Sequence, residues 1–129
     1  MATWFEQDAS AHEREWYTTE QLYVLTCARR YAAMADARVA EIEAEIRQLY
    51  SELREIVRTY RERVSPLPMP IEDGRRYDEV QLRLRLLSEE LIAARMIRGR
   101  ARRECRATEM RADAAVTYDD TAARAAVRE

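Results

Sequence analysis

The 129-residue sequence contains no lysine and no asparagine, so all 22 of its basic residues are arginines. It holds only two glycines, Gly74 and Gly99, and they stand far apart. Phosphate-binding loops and dinucleotide folds need clustered glycines, because the backbone must approach the phosphate closely. The sequence therefore excludes a P-loop or Rossmann-type nucleotide site.

Long apolar runs are missing as well. The longest stretches without a charged residue, 21–28 and 64–71, are eight residues each, whereas a helix that crosses a bilayer needs about 20 apolar residues. The first residues include Glu6 and Asp8, have no basic residue before Arg14 and lack the apolar core of a signal peptide. We therefore expect a cytoplasmic protein without a membrane span, or a virion component if the source is viral.

Motifs for catalysis and metal binding are also scarce. His12 is the only histidine and lies among polar residues, which favours a surface position over a general base or a metal ligand. Cys27 and Cys105 form neither a CxxC motif nor a close pair. No Glu-x-x-His motif is present for a dimetal site in a helical bundle. The sequence predicts a non-enzymatic protein without catalytic residues, metal or cofactor.

The strongest pattern in the sequence is a heptad repeat from Leu25 to Tyr60. With Leu25 at position a, all eleven a and d positions are apolar or aromatic. A period of 3.5 residues kept over five heptads indicates a coiled-coil-like seam. The seam positions are Leu25, Ala28, Ala32, Ala35, Val39, Ile42, Ile46, Leu49, Leu53, Ile56 and Tyr60.

A second seam runs from Val80 to Ala115 with the same alternating spacing of four and three residues. Arg98 is its one charged member, and a local shift of register onto Ile97 would relieve this. All three prolines and Gly74 lie between the two seams. The sequence therefore predicts a single all-α domain, a long antiparallel helical hairpin with coiled-coil-like packing and short terminal helical segments.

Capping residues set the predicted helix boundaries. Thr18 with Gln21, and Asp78 with Gln81, have the capping-box spacing that marks the start of a helix. Ser10 with Glu13 has the same spacing and could start a short preceding helix. The predicted segments are an N-terminal aromatic arm at 1–17, a helix at 18–64, a proline-rich loop at 65–77, a second helix at 78–116 and a short helix or tail at 117–129.

Beside the seams, a second apolar stripe remains that one partner helix cannot cover. A helix that is apolar on more than one face is normally buried by a third element. We therefore expect protein partners here, in a homo-oligomer or in a larger complex. The predicted partner-binding residues of this stripe are Tyr50, Val57, Val64, Leu82, Leu86 and Met96.

The aromatic arm and the loop are further candidates for partner contacts. Aromatic side chains are favoured interface anchors, but the arm could also fold back over the alanine-rich end of the hairpin. The apolar loop residues alternate with prolines, which favours an extended segment that either binds a partner or covers the end of the hairpin. The residues concerned are Trp4, Phe5 and Trp16 in the arm and Leu67, Met69 and Ile71 in the loop.

Arginine is concentrated between residues 95 and 111, where the sequence holds seven arginines and two glutamates. Arginines spaced three and four apart can grip phosphate oxygens along one side of a helix. Alternatively, a hairpin folded about residue 71 places Glu41, Glu43 and Glu45 opposite residues 97–101, where the charges would fix the register. The candidate phosphate- or carboxylate-binding residues are Arg95, Arg98, Arg102, Arg103 and Arg106.

Two functional hypotheses follow. The first is a structural or adaptor subunit, a helical hairpin that oligomerises or docks into a larger assembly such as a phage or virus particle or a secretion-type machine. The alternative is a nucleic-acid-binding protein that uses the arginine-rich face of the second helix. The net charge of −2 favours the first hypothesis, because dedicated nucleic-acid-binding domains are usually basic.

Overall fold

The computed structural model describes residues 2–62 and 70–128, with side chains as far as residue 117. Two short helices, α1 (Trp4–Asp8) and α2 (Ala11–Trp16), precede two long ones, α3 (Thr19–Arg61) and α4 (Ile71–Arg128). Helices hold 93% of the described residues, and none of those residues is in a strand. The long helices pack against each other, which confirms the predicted all-α helical hairpin.

The start of α3 follows the predicted capping box. The Thr18 backbone N–H donates to Gln21 Oε1 at 2.8 Å, and the Gln21 N–H donates to Thr18 Oγ1 at 3.2 Å. These two bonds satisfy donors that a helix start would otherwise leave unpaired. Ser10 and Glu13 make the same reciprocal pair at the start of α2. α1 begins with a further capping box, formed by Thr3 and Glu6, which was not predicted.

The start of α4 differs from the prediction. The helix begins at Ile71, so residues 71–77 are not loop and Asp78 is not a cap. The Pro70 carbonyl accepts the first helical bond from the Gly74 N–H at 2.9 Å. Proline is well tolerated at this point because it has no N–H to leave unpaired. Acidic residues in the first turn, Glu72 and Asp73, further favour a helix start here.

Residues 117–128, expected as a separate short helix or tail, instead continue α4 to Arg128. No glycine or proline follows Gly99 in the sequence, so nothing in the backbone chemistry ends the helix. The Thr117 hydroxyl donates to the Asp113 carbonyl at 3.0 Å, a bond compatible with the helix interior. The aspartates at 119 and 120 are therefore part of α4 rather than a boundary.

The chain divides into two compact units, each with stretches of both long helices: unit 1 comprises Met1–Ala35 and Ile97–Glu129, and unit 2 comprises Asp36–Met96. Within each unit, every predicted seam position is buried or half-buried. In unit 2, Val39, Ile42, Leu87 and Ala94 form the centre of the core. The predicted seams are thus the inward-facing residues of the helices.

In unit 1 the buried residues are smaller. Leu22 and Leu25 of α3 are buried, as are Ala101 and Ala112 of α4. Arg98 stays half-buried at its seam position while Ile97 is exposed, so the register shift onto Ile97 does not occur. Small residues allow close helix approach but bury little apolar area, so the short N-terminal helices that pack onto this unit add needed surface.

Ion pairs flank the core of unit 2 once per heptad. Glu52–Arg76, Glu45–Arg83 and Arg38–Glu90 join α3 to α4 at 2.6, 2.9 and 3.2 Å. Glu43 and Arg95 approach to 3.9 Å. These pairs are half-exposed, so each contributes roughly 0.5 kcal/mol or less. Their regular spacing fixes the antiparallel register of the two helices within the unit.

This register corrects the predicted alignment. Folding about residue 71 would have placed Glu45 opposite residue 97, whereas its partner is Arg83, and Glu41 pairs with Arg38 on its own helix. The difference arises because α4 starts seven residues before its predicted cap. The apolar loop residues Leu67 and Met69, together with Val64, lie outside the described residues.

Candidate interaction surfaces

The outer side of α4 in unit 2, opposite its seam, carries exposed apolar side chains. Leu82 is 55% exposed, Leu86 44%, Ile92 63% and Met96 64%, and Ala93 is exposed between them. These five residues are called the outer apolar face below. Isolated exposed apolar residues are common, but a continuous row on one helix is characteristic of an interaction site. Thus no residue that the structure describes covers the α4 part of the predicted stripe.

The α3 part of the predicted stripe is only partly exposed. Tyr50 is about half-exposed, and Val57 is half-buried. Val57 and Leu53 line a groove of about 380 Å³ that Arg54, Arg58 and Arg61 border. The third predicted residue of this part, Val64, lies outside the described residues. Ile92 was missing from the prediction, although its heptad position on the outer side of α4 would have identified it.

The aromatic arm packs on α3 within unit 1. Phe5 and Tyr23 meet edge to face with ring centroids 5.4 Å apart, and Trp4 lies 5.9 Å from Tyr23. The Arg30 guanidinium lies 4.4 Å from the centre of the Trp4 ring, in a cation–π contact. The Thr26 hydroxyl donates to the Phe5 carbonyl at 3.2 Å. The arm therefore folds back on its own chain, and its use by a partner stays a prediction.

Trp16, the third aromatic residue of the arm, is 55% exposed. It lies against His12, with ring centroids 5.1 Å apart and the ring planes tilted by 38°. His12, Trp16, Tyr17 and Asp113 line a pocket of about 260 Å³. His12 thus lies beside an aromatic ring and lines this pocket.

A polar network joins α2, α3 and α4 in unit 1. Arg29 binds Glu13 at 2.6 Å and Glu109 at 3.2 Å. Hydrogen bonding to Arg29 lowers the pKa of Glu13 below its ordinary value. The Tyr17 hydroxyl donates a hydrogen bond to Asp113, which raises the pKa of Tyr17 to about 12. Sequence spacing gave no signal for this network, because its members are far apart in the chain.

The surroundings of the Cys105 thiol disfavour reactivity. Cys27 and Cys105 are both free and half-buried. Burial, followed by the nearby Glu109 carboxylate, raises the pKa of the Cys105 thiol. A thiol with a raised pKa holds little thiolate, the nucleophilic form. In the described part of the chain, no group of three or more His, Cys, Asp and Glu is placed to hold a metal ion.

The arginine-rich segment separates into paired and solvent-facing side chains. In unit 2, Arg95 lies near Glu43. In unit 1, Arg98 is half-buried in the seam, whereas Arg100, Arg103 and Arg106 are exposed on the outer side of α4. Within the described residues these last three have no carboxylate partner. Arg102, also predicted, is exposed and has an interaction of its own.

One of these arginines lies beside Gly99. The Arg103 guanidinium lies over it, 3.5 Å from the position that a Cβ would take. Arg100 was not among the predicted residues, although its spacing from Arg103 places both on one side of the helix. In unit 1, Arg100, Arg103 and Arg106 therefore form an exposed cationic row, called the outer arginine row below.

Comparison of the chain with protein-family models, curated proteins and solved structures gives no match. Over the described residues, no helix has the length and apolar character needed to cross a membrane.

Proposed function

We propose that this protein is a non-enzymatic structural or adaptor subunit that assembles with other protein subunits in a larger complex, of the kind found in a phage or virus particle or a secretion-type machine. The observation that carries the proposal is the outer apolar face of α4 in unit 2. Its large side chains are 44–64% exposed although the same helix buries a complete seam on its other side. A surface of this kind is stabilised by burial against another protein.

The energy available from this face is moderate. Full burial of one Leu, Ile or Met side chain stabilises by about 1.5–3 kcal/mol, so covering the exposed half of four such side chains contributes about 4 kcal/mol. Association also costs translational and side-chain entropy. Apolar burial alone therefore supports weak association, and polar contacts around the face must add to it in a stable assembly.

The proposal is tested by measuring the native mass of the tagged full chain in extracts of the cells that produce it. We expect the wild type to elute well above the 15.2 kDa of a single chain. The double variant Ile92→Ser/Met96→Ser should shift to lower mass, because it makes the outer apolar face polar. Met34→Ser/Met110→Ser is the matched control, since its residues are 70% and 66% exposed but lie elsewhere.

Circular dichroism of the purified variants checks that both remain helical. A wild type that elutes as a single chain would contradict the proposal. So would an assembly whose mass is unchanged by the substitutions at residues 92 and 96.

A second candidate function is nucleic-acid binding through the outer arginine row. The observation that favours it is that Arg100, Arg103 and Arg106 are exposed on one side of α4 and have no carboxylate partner among the described residues. Three phosphate contacts predict an affinity that falls about 40-fold between 50 and 200 mM salt. The net charge of −2 limits the strength of such binding.

Fluorescence anisotropy with a labelled DNA or RNA duplex tests this candidate. Arg103→Glu/Arg106→Glu should abolish binding, whereas Arg47→Glu/Arg61→Glu, which reverses two exposed arginines of α3, should retain most of it. Binding that is equal in the two double variants would exclude the outer arginine row as the site.

A further inference from the structure

Four charges around Leu82 on the outer side of α4 follow a sign-reversing pattern. Three residues before Leu82 lies Glu79, and three residues after it lies Arg85. Seven residues before it lies Arg75, and seven after it lies Glu89. All five side chains are exposed and lie on the side of the helix opposite its seam. Each of these four charges is thus mirrored, at equal distance from Leu82, by a charge of opposite sign.

Most of these charges have no partner within the described part of the chain. Arg75, Arg85 and Glu89 make no ion pair or hydrogen bond there. Glu79 approaches Arg76 at 3.5 Å, but Arg76 also binds Glu52 at 2.6 Å. By contrast, the charges of the same helix that flank its seam are paired with α3. The outer charges therefore remain available to another molecule.

We propose that a second copy of this chain binds here, with the two α4 helices antiparallel and a two-fold axis at Leu82. In that arrangement Arg85 lies opposite Glu79 of the other copy, and Arg75 lies opposite Glu89. Because the axis repeats each contact, four ion pairs surround one contact between two leucines. A parallel arrangement would instead place like charges opposite each other.

Apolar contacts extend the same arrangement. Ile71, which is 76% exposed, falls opposite the exposed Ala93 of the other copy, again twice. An interface built on a two-fold axis uses one patch twice, so the patch must complement itself. Paired opposite charges suppress other registers, because like charges opposed across an interface are unfavourable. This inference rests on the proposed assembly through α4 and names its first partner as a second copy.

Charge variants of the purified full chain test the inference. Glu79→Arg/Glu89→Arg makes all four of these charges positive, and Arg75→Glu/Arg85→Glu makes all four negative. The wild type should have twice the 15.2 kDa chain mass in light scattering at high micromolar concentration. Each double variant alone should dissociate at least tenfold more readily, because it opposes like charges.

Restoration of the dimer gives the sharper readout. An equal mixture of the positive and negative variants should return to the dimer mass, because each supplies the charge that the other lacks. The quadruple variant Arg75→Glu/Glu79→Arg/Arg85→Glu/Glu89→Arg should also be dimeric, since it keeps the reversal of sign about Leu82. Arg47→Glu/Arg61→Glu, on α3, is the control and should dimerise like the wild type.

A covalent test locates the axis independently. In a Cys27→Ser/Cys105→Ser background, Leu82→Cys should form an intermolecular disulfide on mild oxidation, because a residue on a two-fold axis meets its own copy. Met96→Cys in the same background should cross-link far less.

Two results would overturn the inference: a wild type that stays monomeric at high concentration, or a dimer whose charge variants either dimerise like the wild type or, once dissociated, do not return to the dimer mass when mixed. Neither result contradicts the proposed function, because the native mass in cell extracts tests that function separately. An assembled wild type in extracts with a monomeric purified chain would assign the outer apolar face to a different protein.

Discussion

Truncation of Ile42 tests the packing of unit 2 against a matched exposed residue. Ile42 is 1% exposed in the core of this unit, whereas Ile92 is 63% exposed on the outer side of α4. Both are isoleucines inside long helices of the same unit, so Ile→Ala changes their helix propensity equally. The difference between the two variants therefore reports burial.

The expected loss in the free energy of unfolding follows from the atoms removed. Ile→Ala deletes three carbons, worth about 0.8 kcal/mol each when fully buried, and a residual cavity adds to this. Ala has a higher helix propensity than Ile, which offsets this loss by about 0.4 kcal/mol. We expect Ile42→Ala to lower the free energy of unfolding by about 3 kcal/mol and Ile92→Ala to change it by less than about 0.5 kcal/mol.

Urea unfolding at low micromolar protein concentration, followed by circular dichroism, measures both values. The low concentration limits the contribution of self-association. Equal losses of stability in the two variants, or a loss below about 1 kcal/mol for Ile42→Ala, would refute the packing of α3 against α4 in this unit.

Three further predictions concern helix boundaries and the polar network of unit 1. The pKa of Tyr17 is about 12 in the folded chain and 10.0 when unperturbed, so the stability from its bond to Asp113 is fully present below pH 10 and is lost as the pH rises from about 10 to about 12. Urea unfolding across this range should show that loss, and Tyr17→Phe should flatten it; an unchanged slope would contradict the contact. Thr18→Ala removes the cap of α3 and should destabilise by about 1 kcal/mol in thermal unfolding, whereas Thr18→Ser should be close to neutral. Gly74→Ala should stabilise by about 0.8–1 kcal/mol, because a Cβ there meets nothing within 4 Å and no glycine has a positive φ; a destabilised variant would show that α4 does not begin before this residue.

The sequence was sufficient to predict features that depend on local periodicity. The two seams repeat every 3.5 residues, and burial follows this period even at Arg98, where the chemistry is unfavourable. The capping boxes at Ser10 and Thr18 need only two residues three apart, so they too are readable from the sequence.

The start of α4 was predicted wrongly because its signals conflict. Asp78 and Gln81 have the spacing of a capping box, while Pro70 with two following acidic residues has the composition of a helix start. The earlier start prevails, and Gly74 is accommodated at a cost of about 1 kcal/mol. The partners of Glu43 and Glu45 depend on this start, so the predicted pairing with residues 97–101 was wrong as well.

The surface contacts depend on tertiary placement that no local pattern encodes. The sequence left open whether the aromatic arm folds back or extends, and the contacts of Phe5 with Tyr23 and Thr26 decide in favour of folding back. The bond from Tyr17 to Asp113 joins residues separated by almost the whole chain. By contrast, the exposed stripe on α4 was predictable, because it follows from heptad positions that the seam does not use.

Site-specific photo-cross-linking in the cells that produce the protein tests the central claim most directly. A photoreactive amino acid placed at Met96, which is 64% exposed on the outer apolar face, is compared with one at Met110, which is 66% exposed outside it. Assembly through this face predicts a discrete cross-linked product from position 96 and little or none from position 110. Equal products from both positions, or none from position 96, would contradict the claim.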